Sequence, residues 1–298
     1  MSETRAHRGQ GPWPSNNTER EVLIWLSQRI QIDEVREREA IIRSMLMEVT
    51  GLSRGERISN PWLASESQLE LLALWAERLN DHEPWQYIRG KVDFMGMEFQ
   101  VDRRVLIPRP ETEELIMLMH DRIPKSSHQL RILDIGTGSG IIPIAWKSKR
   151  PIDEVFGMDL SEEALQVAKA NAAQLNQSVT WFHGDLFVDE SIFDSGFDLI
   201  FSNPPYIPHR EKESLAKHVT SYEPPMALFV DDGDHLKFYE RIIEGCHKGD
   251  WLVKSGWLGL ECHRDYVDEV LALIPATWAS KEKFTDLQGN WRMILAQK

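Results

Sequence analysis

The tetrapeptide Asn203-Pro204-Pro205-Tyr206 has the residue types needed to hold a planar NH₂ group for chemistry. An amide or amidine nitrogen is a poor nucleophile because its lone pair is delocalised, so methylation needs that lone pair aimed at the methyl donor. Asn203 offers a side-chain oxygen as one acceptor, and Pro204, which lacks an N–H, restricts the backbone so that a following carbonyl can be a second. Tyr206 can stack on the planar group. The tetrapeptide predicts methyl transfer to an amide-type nitrogen.

An ordinary turn is the alternative explanation, since prolines mark turns more often than active sites. The position favours chemistry, because the tetrapeptide directly follows an apolar strand, Phe197–Ser202, and open α/β sheets bind ligands at the carboxyl ends of strands. The scheme needs no side-chain base, since the proton becomes acidic as the nitrogen gains positive charge. Cys262 and His263 are not expected to act as a nucleophile pair, because adjacent strand residues point to opposite faces.

A glycine-rich run after an earlier strand predicts a bound cofactor. Leu133–Gly140 has G-x-G-x-G spacing, tighter than the dinucleotide pattern, and no P-loop lysine follows it. Such glycines let the backbone turn sharply and approach a ligand, although a turn that only packs a strand on a helix is the alternative. Asp159 favours the cofactor, because it ends the next strand 25 residues after Asp134, near the offset at which an acid meets ribose hydroxyls.

Two further acids extend this predicted site. Asp134 is expected to hold an ammonium group, and Gly184-Asp185-Leu186 to flank an adenine. Each acid has a plain alternative, since Asp159 could cap the next helix and Asp185 could be an exposed turn residue. Their joint placement at the carboxyl ends of successive strands favours ligand binding.

From residue 130 onward, short apolar strands alternate with helical segments, which predicts a doubly wound α/β sheet. The expected strands are Arg131–Ile135, Glu154–Asp159, Val179–His183, Phe197–Ser202, Trp251–Glu261, Thr277–Phe284 and Trp291–Ala296. Ser161 is expected to cap one intervening helix, and Pro110 to open another.

The preceding part of the chain predicts a small helical domain, residues 18–85, after a disordered lead-in, residues 1–17. Gly51 should close one helix, and Ser65 with Gln68 should form a capping box that opens another. Period-two alternation then predicts a β-hairpin linker over residues 86–108, and the catalytic domain takes residues 109–298.

Composition excludes several classes of protein. The 298 residues carry a net charge of −13, which argues against a broad phosphate-binding surface and so against direct nucleic-acid binding. The two cysteines and ten histidines lack metal-ligand spacing, so no metal is expected. Since the chain shows no apolar leader or spanning run, no membrane partner is expected, the predicted compartment is the cytoplasm, and the predicted state is a monomer.

Further motifs identify a family. The runs that carry the resemblance are Gln86–Gly90, Leu106–Leu115, the glycine loop, Asn203–Tyr206, Tyr222–Pro224 and Asp286–Gly289. From about residue 20 onward the chain resembles the PrmC/HemK family, whose members methylate the glutamine of the Gly-Gly-Gln motif in class I peptide chain release factors. The Ile-Pro-Arg-Pro-Glu-Thr-Glu run, Ile107–Glu113, is far more specific than the tetrapeptide.

The resemblance implies a class I (Rossmann-like) methyltransferase domain with seven strands, preceded by a helical domain that helps hold the release factor. It implies that S-adenosyl-L-methionine is the cofactor and that Asn203–Tyr206 contact the glutamine. With the acids above, the candidate cofactor residues are Asp134, Gly136, Thr137, Gly138, Ser139, Gly140, Asp159, Asp185, Leu186 and Asn203. The candidate substrate residues are Asn203, Pro204, Pro205, Tyr206, Arg109 and Glu223.

Two positions depart from the family pattern: Glu261-Cys262-His263 stands where a glycine often follows the acid, and Trp291 where an acid is common. Neither touches the proposed chemistry.

Methyltransferases of nucleic-acid bases use similar tetrapeptides and are the nearest rivals. A non-catalytic cofactor-binding module would leave the tetrapeptide unexplained. The long stretch 207–234 lacks periodicity, and part of it is expected to close over the substrate loop.

Overall fold

The computed structural model describes residues 9–123, 128–188, 193 and 196–298. These residues divide into two compact units. One contains the chain up to Arg89 together with Lys217–Tyr222, and the other contains Gly90–Ala216 and Glu223–Lys298. The predicted lead-in, residues 1–17, lies partly outside the described residues. No helix in the described ranges is long and apolar enough to cross a membrane.

The first unit is helical. Its described helices are α1 (Glu19–Arg29), α2 (Val35–Thr50), α3 (Arg54–Ser59), α4 (Glu66–Asn80), α5 (Trp85–Arg89) and, from later in the chain, α9 (Lys217–Tyr222). Gly51 ends α2 in the left-handed conformation, and Ser65 and Gln68 form the predicted capping box of α4. Leu26, Met45 and Leu72 meet in its hydrophobic core.

The second unit begins with a β-hairpin that is not a separate linker. Strands β1 (Lys91–Phe94) and β2 (Met97–Gln100) are joined at Met95-Gly96, both with positive φ. Phe94 and Phe99 pack into the core of this unit. The predicted linker 86–108 therefore spans two structures, the end of the helical unit and a hairpin that belongs to the catalytic fold.

Seven strands in the described part of the second unit form one sheet, which confirms the predicted fold class. They are β3 (Arg131–Ile135), β4 (Glu154–Asp159), β5 (Thr180–His183), β6 (Phe197–Ser202), β9 (Leu252–Glu261), β10 (Ser280–Thr285) and β11 (Trp291–Gln297). Their order is β10-β11-β9-β6-β3-β4-β5. Strand β11 is antiparallel to both neighbours, and the strands from β9 to β5 are parallel.

Helices cover both faces of the sheet. The remaining helices are α6 (Pro110–Arg122), α7 (Ile141–Lys149), α8 (Glu162–Gln174), α10 (Pro225–Leu228), α11 (Lys237–Lys248) and α12 (Val267–Leu273). Leu115, Ile144 and Phe201 belong to one core, and Ile200, Tyr239 and Val270 to the other, because successive strand residues face opposite sides.

Residues 207–234, expected as a loop, contain short elements. A 3₁₀ helix (His209–Ser214), α9 and α10 lie between β7 (Ile207–Pro208) and β8 (Phe229–Val230), which pair in parallel. Elements of two to six residues are too short to give a periodic pattern. Tyr222, which lies in one of the runs that carry the family resemblance, belongs to the helical unit, where its hydroxyl donates to the Asp81 carbonyl at 2.8 Å.

We predict that Phe201→Ala lowers the free energy of unfolding by about 3–5 kcal/mol, because it removes a fully buried ring that packs on Trp146. Leu287→Ala is the control, since Leu287 is 92% exposed and should change the same quantity by less than about 0.5 kcal/mol. Urea unfolding followed by tryptophan fluorescence measures both. Equal losses in the two variants would contradict the buried position of Phe201.

Candidate functional site

A cavity of about 340 Å³ opens at the carboxyl edge of the sheet. It lies beside β3, which has β4 as its neighbour on one side and β6 on the other. The strand order reverses at this point, which is where open α/β sheets bind ligands. The predicted residues on its wall are Gly136, Gly138, Asp159, Asp185, Leu186, Asn203, Pro204 and Pro205. The glycine turn and the tetrapeptide thus face one cavity.

The glycine turn has its backbone toward the cavity. Gly136 and Gly138 have φ of +76° and +54°, and a Cβ on either would meet no protein atom within 4 Å. Glycine is needed there for its conformation, and the space beside it is left to a ligand. Gly140 differs, because a Cβ would lie 2.8 Å from the Trp181 ring. At this third glycine the close packing of helix α7 is also a constraint.

Asp159 holds the turn and faces the cavity. Its Oδ2 accepts from the Gly138 N–H at 2.8 Å, and its Oδ1 accepts from the Ser161 N–H at 2.8 Å. Burial raises the pKa of Asp159, and these N–H donors partly offset that effect. The cap of α8 is Ser161, whose hydroxyl accepts from the Ala164 N–H. Asp159 is therefore not the cap, and its remaining lone pairs can meet ligand hydroxyls.

Asp134 is a buried carboxylate below the glycine turn. It is 1% exposed, and neither of its oxygens has a hydrogen-bond partner among the described residues. Burial raises its pKa to about 7, a shift that the nearby Thr137 hydroxyl reduces and the charge of Asp159 increases. An acid without a partner is costly inside a protein, so this site fits a ligand that brings a cation or an N–H donor.

The turn after β5 supplies another part of the wall. The Asp185 side chain accepts from the Phe187 N–H at 2.9 Å, which shapes the turn, and Leu186 is buried against the cavity. Met158 and Leu160 add apolar surface. Asp134 does not itself line the cavity, but as an acid without a partner among the described residues it fits an ammonium group. With a hydroxyl site at Asp159 and an apolar slot here, the set matches the parts of S-adenosylmethionine. The residues present therefore fit the cofactor that the sequence predicted.

The tetrapeptide continues β6 directly. The Ser202 hydroxyl donates to the Ile135 carbonyl at 2.7 Å, and the Asn203 side-chain NH₂ donates to the Thr112 hydroxyl oxygen at 3.4 Å. Tyr206 is the member that does not line the cavity. Its ring packs against the core and its hydroxyl lies 3.5 Å from Glu261 Oε1. The stacking of Tyr206 on a planar substrate group therefore stays a prediction.

Sequence reasoning missed a buried pair below the tetrapeptide. The Thr112 hydroxyl donates to Glu261 Oε2 at 2.6 Å, and both residues are 1% exposed. Burial raises the pKa of Glu261 to about 7, while the bond from Thr112 lowers it. The position of Glu261 in the sequence could have indicated it, because Glu261 lies at the end of β9, as Asp134 and Asp159 lie at the ends of β3 and β4.

Arg109 and Glu223, both predicted to contact substrate, contact each other. Arg109 Nη2 donates to Glu223 Oε1 at 2.7 Å, and the Ile107 N–H donates to Oε2 at 3.1 Å. The Glu223 carboxylate is buried and neither residue lines the cavity. Direct substrate contact by Glu223 and Arg109 stays a prediction; in this structure Glu223 pairs with the segment before α6, over a sequence separation that spacing rules do not reveal.

Comparisons with known proteins identify relatives of this chain. A family model described as "PrmC N-terminal domain" matches residues 21–90, and one described as "Methyltransferase small domain" matches residues 114–221. A "Release factor glutamine methyltransferase" of Bacillus subtilis (strain 168) is 37% identical over 287 residues, covering 93% of this chain and 96% of that protein. The protein of the same name from Bacteroides thetaiotaomicron is 39% identical over 223 residues, 74% and 78% of the two chains.

Solved structures share the fold. The catalytic domain of hMettl16, solved in complex with MAT2A 3′UTR hairpin 6, aligns with a TM-score of 0.53 at 14% identity over 80% of this chain and 84% of that one. A human methyltransferase 10 domain containing protein aligns with a TM-score of 0.50 at 19% identity over 68% and 88%. At these identities the likeness shows the fold alone.

We predict that Asp134→Asn stabilises the ligand-free protein at alkaline pH. The folded-state pKa of about 7 lies above the usual 3.8, so the folded state keeps its proton longer and loses stability as pH rises between these values. The variant has no carboxyl group at this position and does not lose this stability. Its free energy of unfolding should exceed that of the wild type by near zero at pH 4 and by at most about 4 kcal/mol above pH 7. Urea unfolding of both proteins at pH 5 and pH 8 measures it. An advantage that is the same at both pH values would refute the buried-acid explanation.

Proposed function

Since the chain belongs to the release factor glutamine methyltransferase family, we propose that it transfers a methyl group from S-adenosylmethionine to a glutamine side-chain amide nitrogen, N5. The proposed substrate is the Gly-Gly-Gln motif of class I peptide chain release factors. The observation that carries the proposal is that one cavity is lined both by the glycine turn at Gly136 and Gly138 and by Asn203-Pro204-Pro205.

Asn203 and the backbone after it orient the substrate amide. The Asn203 NH₂ is directed to Thr112, which leaves its Oδ1 as an acceptor for one N–H of the glutamine. A backbone carbonyl of the Pro204-Pro205 segment is the proposed second acceptor. Two acceptors in the amide plane leave the nitrogen lone pair pointing out of that plane, toward the methyl donor. Such near-attack positioning can lower a barrier by about 7–11 kcal/mol in favourable cases.

The cofactor, when bound, supplies a methyl group on a positively charged sulfur. Asp134 then holds the ammonium group, Asp159 the ribose hydroxyls, and the Asp185-Leu186 turn the adenine. Transfer would form the new N–C bond and break the bond between the methyl carbon and sulfur, whose electron pair stays on the sulfur of a neutral thioether product. The nitrogen gains positive charge, and its proton becomes acidic enough to leave to water. No side-chain base is assigned, because the nearby acid Glu261 is buried below the tetrapeptide and accepts from Thr112.

We also propose that the helical unit holds the release factor. It has a groove beside α1 and α2 whose wall includes the partly exposed side chains of Leu23 and Ile24 and the exposed cations Arg43 and Arg54. The acids Glu19 and Glu39 also line this groove, and apolar side chains mixed with charges of both signs suit a protein surface better than an anionic lipid or a nucleotide. Cytoplasmic action as a monomer is part of the same proposal.

The substrate is tested by incubating the protein with labelled S-adenosylmethionine and four acceptors. We expect label on a release factor, at least about a hundredfold less on its Gln→Ala variant in Gly-Gly-Gln, and none on duplex DNA or hairpin RNA. The acidic chain gives a reason to expect little nucleic-acid binding. Label on nucleic acid, or equal label on the two proteins, would refute glutamine as the target.

The role of Asn203 is tested by Asn203→Ala, with Gln129→Ala as the control because Gln129 is exposed before β3, at the opposite edge of the sheet. Loss of one acceptor should lower kcat at least about a hundredfold. Binding of S-adenosylmethionine, measured by calorimetry, should change less than about threefold. Turnover equal to that of the control would remove Asn203 from the mechanism.

A further inference from the structure

We propose that Thr112 and Glu261 are positioning residues, which orient the Asn203 amide so that its oxygen, not its NH₂, faces the substrate. The inference rests on the proposed function and adds two residues to it. The chain of contacts runs from a buried strand end, through the first turn of helix α6, to the tetrapeptide on the cavity wall.

The direction of this chain follows from hydrogen-bond chemistry. Above its raised pKa of about 7, Glu261 is ionised and its carboxylate can only accept, so in the 2.6 Å contact the Thr112 hydroxyl donates its proton to Glu261. The hydroxyl oxygen then has only lone pairs to offer in its second contact. The group of Asn203 that meets this oxygen must therefore be the NH₂, as in the observed 3.4 Å contact.

The opposite orientation of Asn203 is disfavoured. Its Oδ1 would face the lone pairs of Thr112, unless the Thr112 hydroxyl turned its proton away from Glu261. A buried carboxylate would then lose its hydroxyl donor, which is costly because water cannot replace the donor in the interior. The correct orientation matters for catalysis, since an NH₂ directed at the glutamine would repel the N–H groups that have to be held.

Glu261 is itself fixed from several sides. Its carbonyl accepts from the Tyr239 hydroxyl at 3.1 Å, and its backbone pairs with Met293 of β11. Its second carboxylate oxygen lies 3.5 Å from the Tyr206 hydroxyl. Both ends of the tetrapeptide are therefore linked to the Glu261 carboxylate: Tyr206 contacts it directly, and Asn203 contacts it through Thr112. Burial raises the pKa of Glu261 to about 7, so keeping an acid here opposes folding, as is common at functional sites.

The test compares Thr112→Val, which keeps the shape but removes the hydroxyl, with Thr112→Ser, which keeps the hydroxyl. We expect Thr112→Val to lower kcat for release factor methylation at least about tenfold, with the KM for the release factor and the dissociation constant of S-adenosylmethionine within about threefold. Thr112→Ser should retain at least about a third of the wild-type kcat. A merely structural role would not separate kcat from binding in this way.

A double-mutant cycle adds an independent readout. In the Asn203→Ala background, Thr112→Val should cause no further loss, because the group that it orients is absent. Full additivity would overturn the proposal, as would wild-type kcat in Thr112→Val or equal losses in the valine and serine variants. If circular dichroism shows that Thr112→Val does not fold, Glu261→Gln takes its place. The glutamine amide can donate to Thr112, so the direction of the hydrogen bond between residues 112 and 261 is no longer fixed. Unchanged kcat in Glu261→Gln would then overturn the proposal.

The activity of the wild-type protein distinguishes failure of the proposed function from failure of the positioning role. If it does not methylate the release factor, the proposed function fails and the substrate-facing role of Asn203 fails with it. If it methylates the factor and Thr112→Val is equally active, only the positioning role is refuted.

Discussion

The site depends on the register between strands β3 and β6. Ile135 pairs with Ser202 across the parallel ladder, so the next residue of each strand, Gly136 and Asn203, leaves the sheet beside the other. The Ser202 hydroxyl bonds the Ile135 carbonyl and strengthens this pairing at its last step. A slip of one residue would turn every side chain of β6 to the opposite face. The glycine turn and the tetrapeptide are therefore neighbours because of the backbone pairing of β3 with β6.

A second feature of this edge is that buried or half-buried acids lie at the ends of several strands. Asp134, Asp159 and Glu261 lie at the ends of β3, β4 and β9, and burial raises the pKa of each. Their partners differ. Asp159 accepts backbone N–H groups and Glu261 accepts a threonine hydroxyl, whereas the Asp134 oxygens have no partner among the described residues. The acid without a partner is the one that a ligand has to satisfy, and the acids with partners shape what surrounds that ligand.

Much of the fold follows from local sequence signals. The strands from β3 to β6 and the caps at Gly51, Ser65 and Ser161 lie where apolar patterns and capping residues predicted them, because both signals act within a few residues. The glycine turn and the tetrapeptide were found for the same reason, since each follows a recognisable strand. The fold class and the order of its elements could therefore be predicted from the sequence.

What the sequence did not reveal depends on contacts between distant residues. Glu223 and Arg109 are 114 positions apart, and Thr112 and Glu261 are 149 apart, so no spacing rule connects them. The orientation of Tyr206 toward Glu261 instead of the cavity depends on the same packing. The short elements within residues 207–234 escape periodicity because each is shorter than two turns of helix.

The indole of Trp181 has a consequence for how this family can diverge. A Cβ at Gly140 would lie 2.8 Å from the ring, and a Cβ at Gly157 would lie 2.6 Å from it. One bulky aromatic thus excludes side chains at two glycines in different elements. Among relatives, positions 157 and 181 should vary together. Where the tryptophan is replaced by a smaller residue, alanine at Gly157, whose φ is not positive, requires only a small shift of the Thr137 hydroxyl at 3.0 Å, while Gly140 at φ +80° stays glycine.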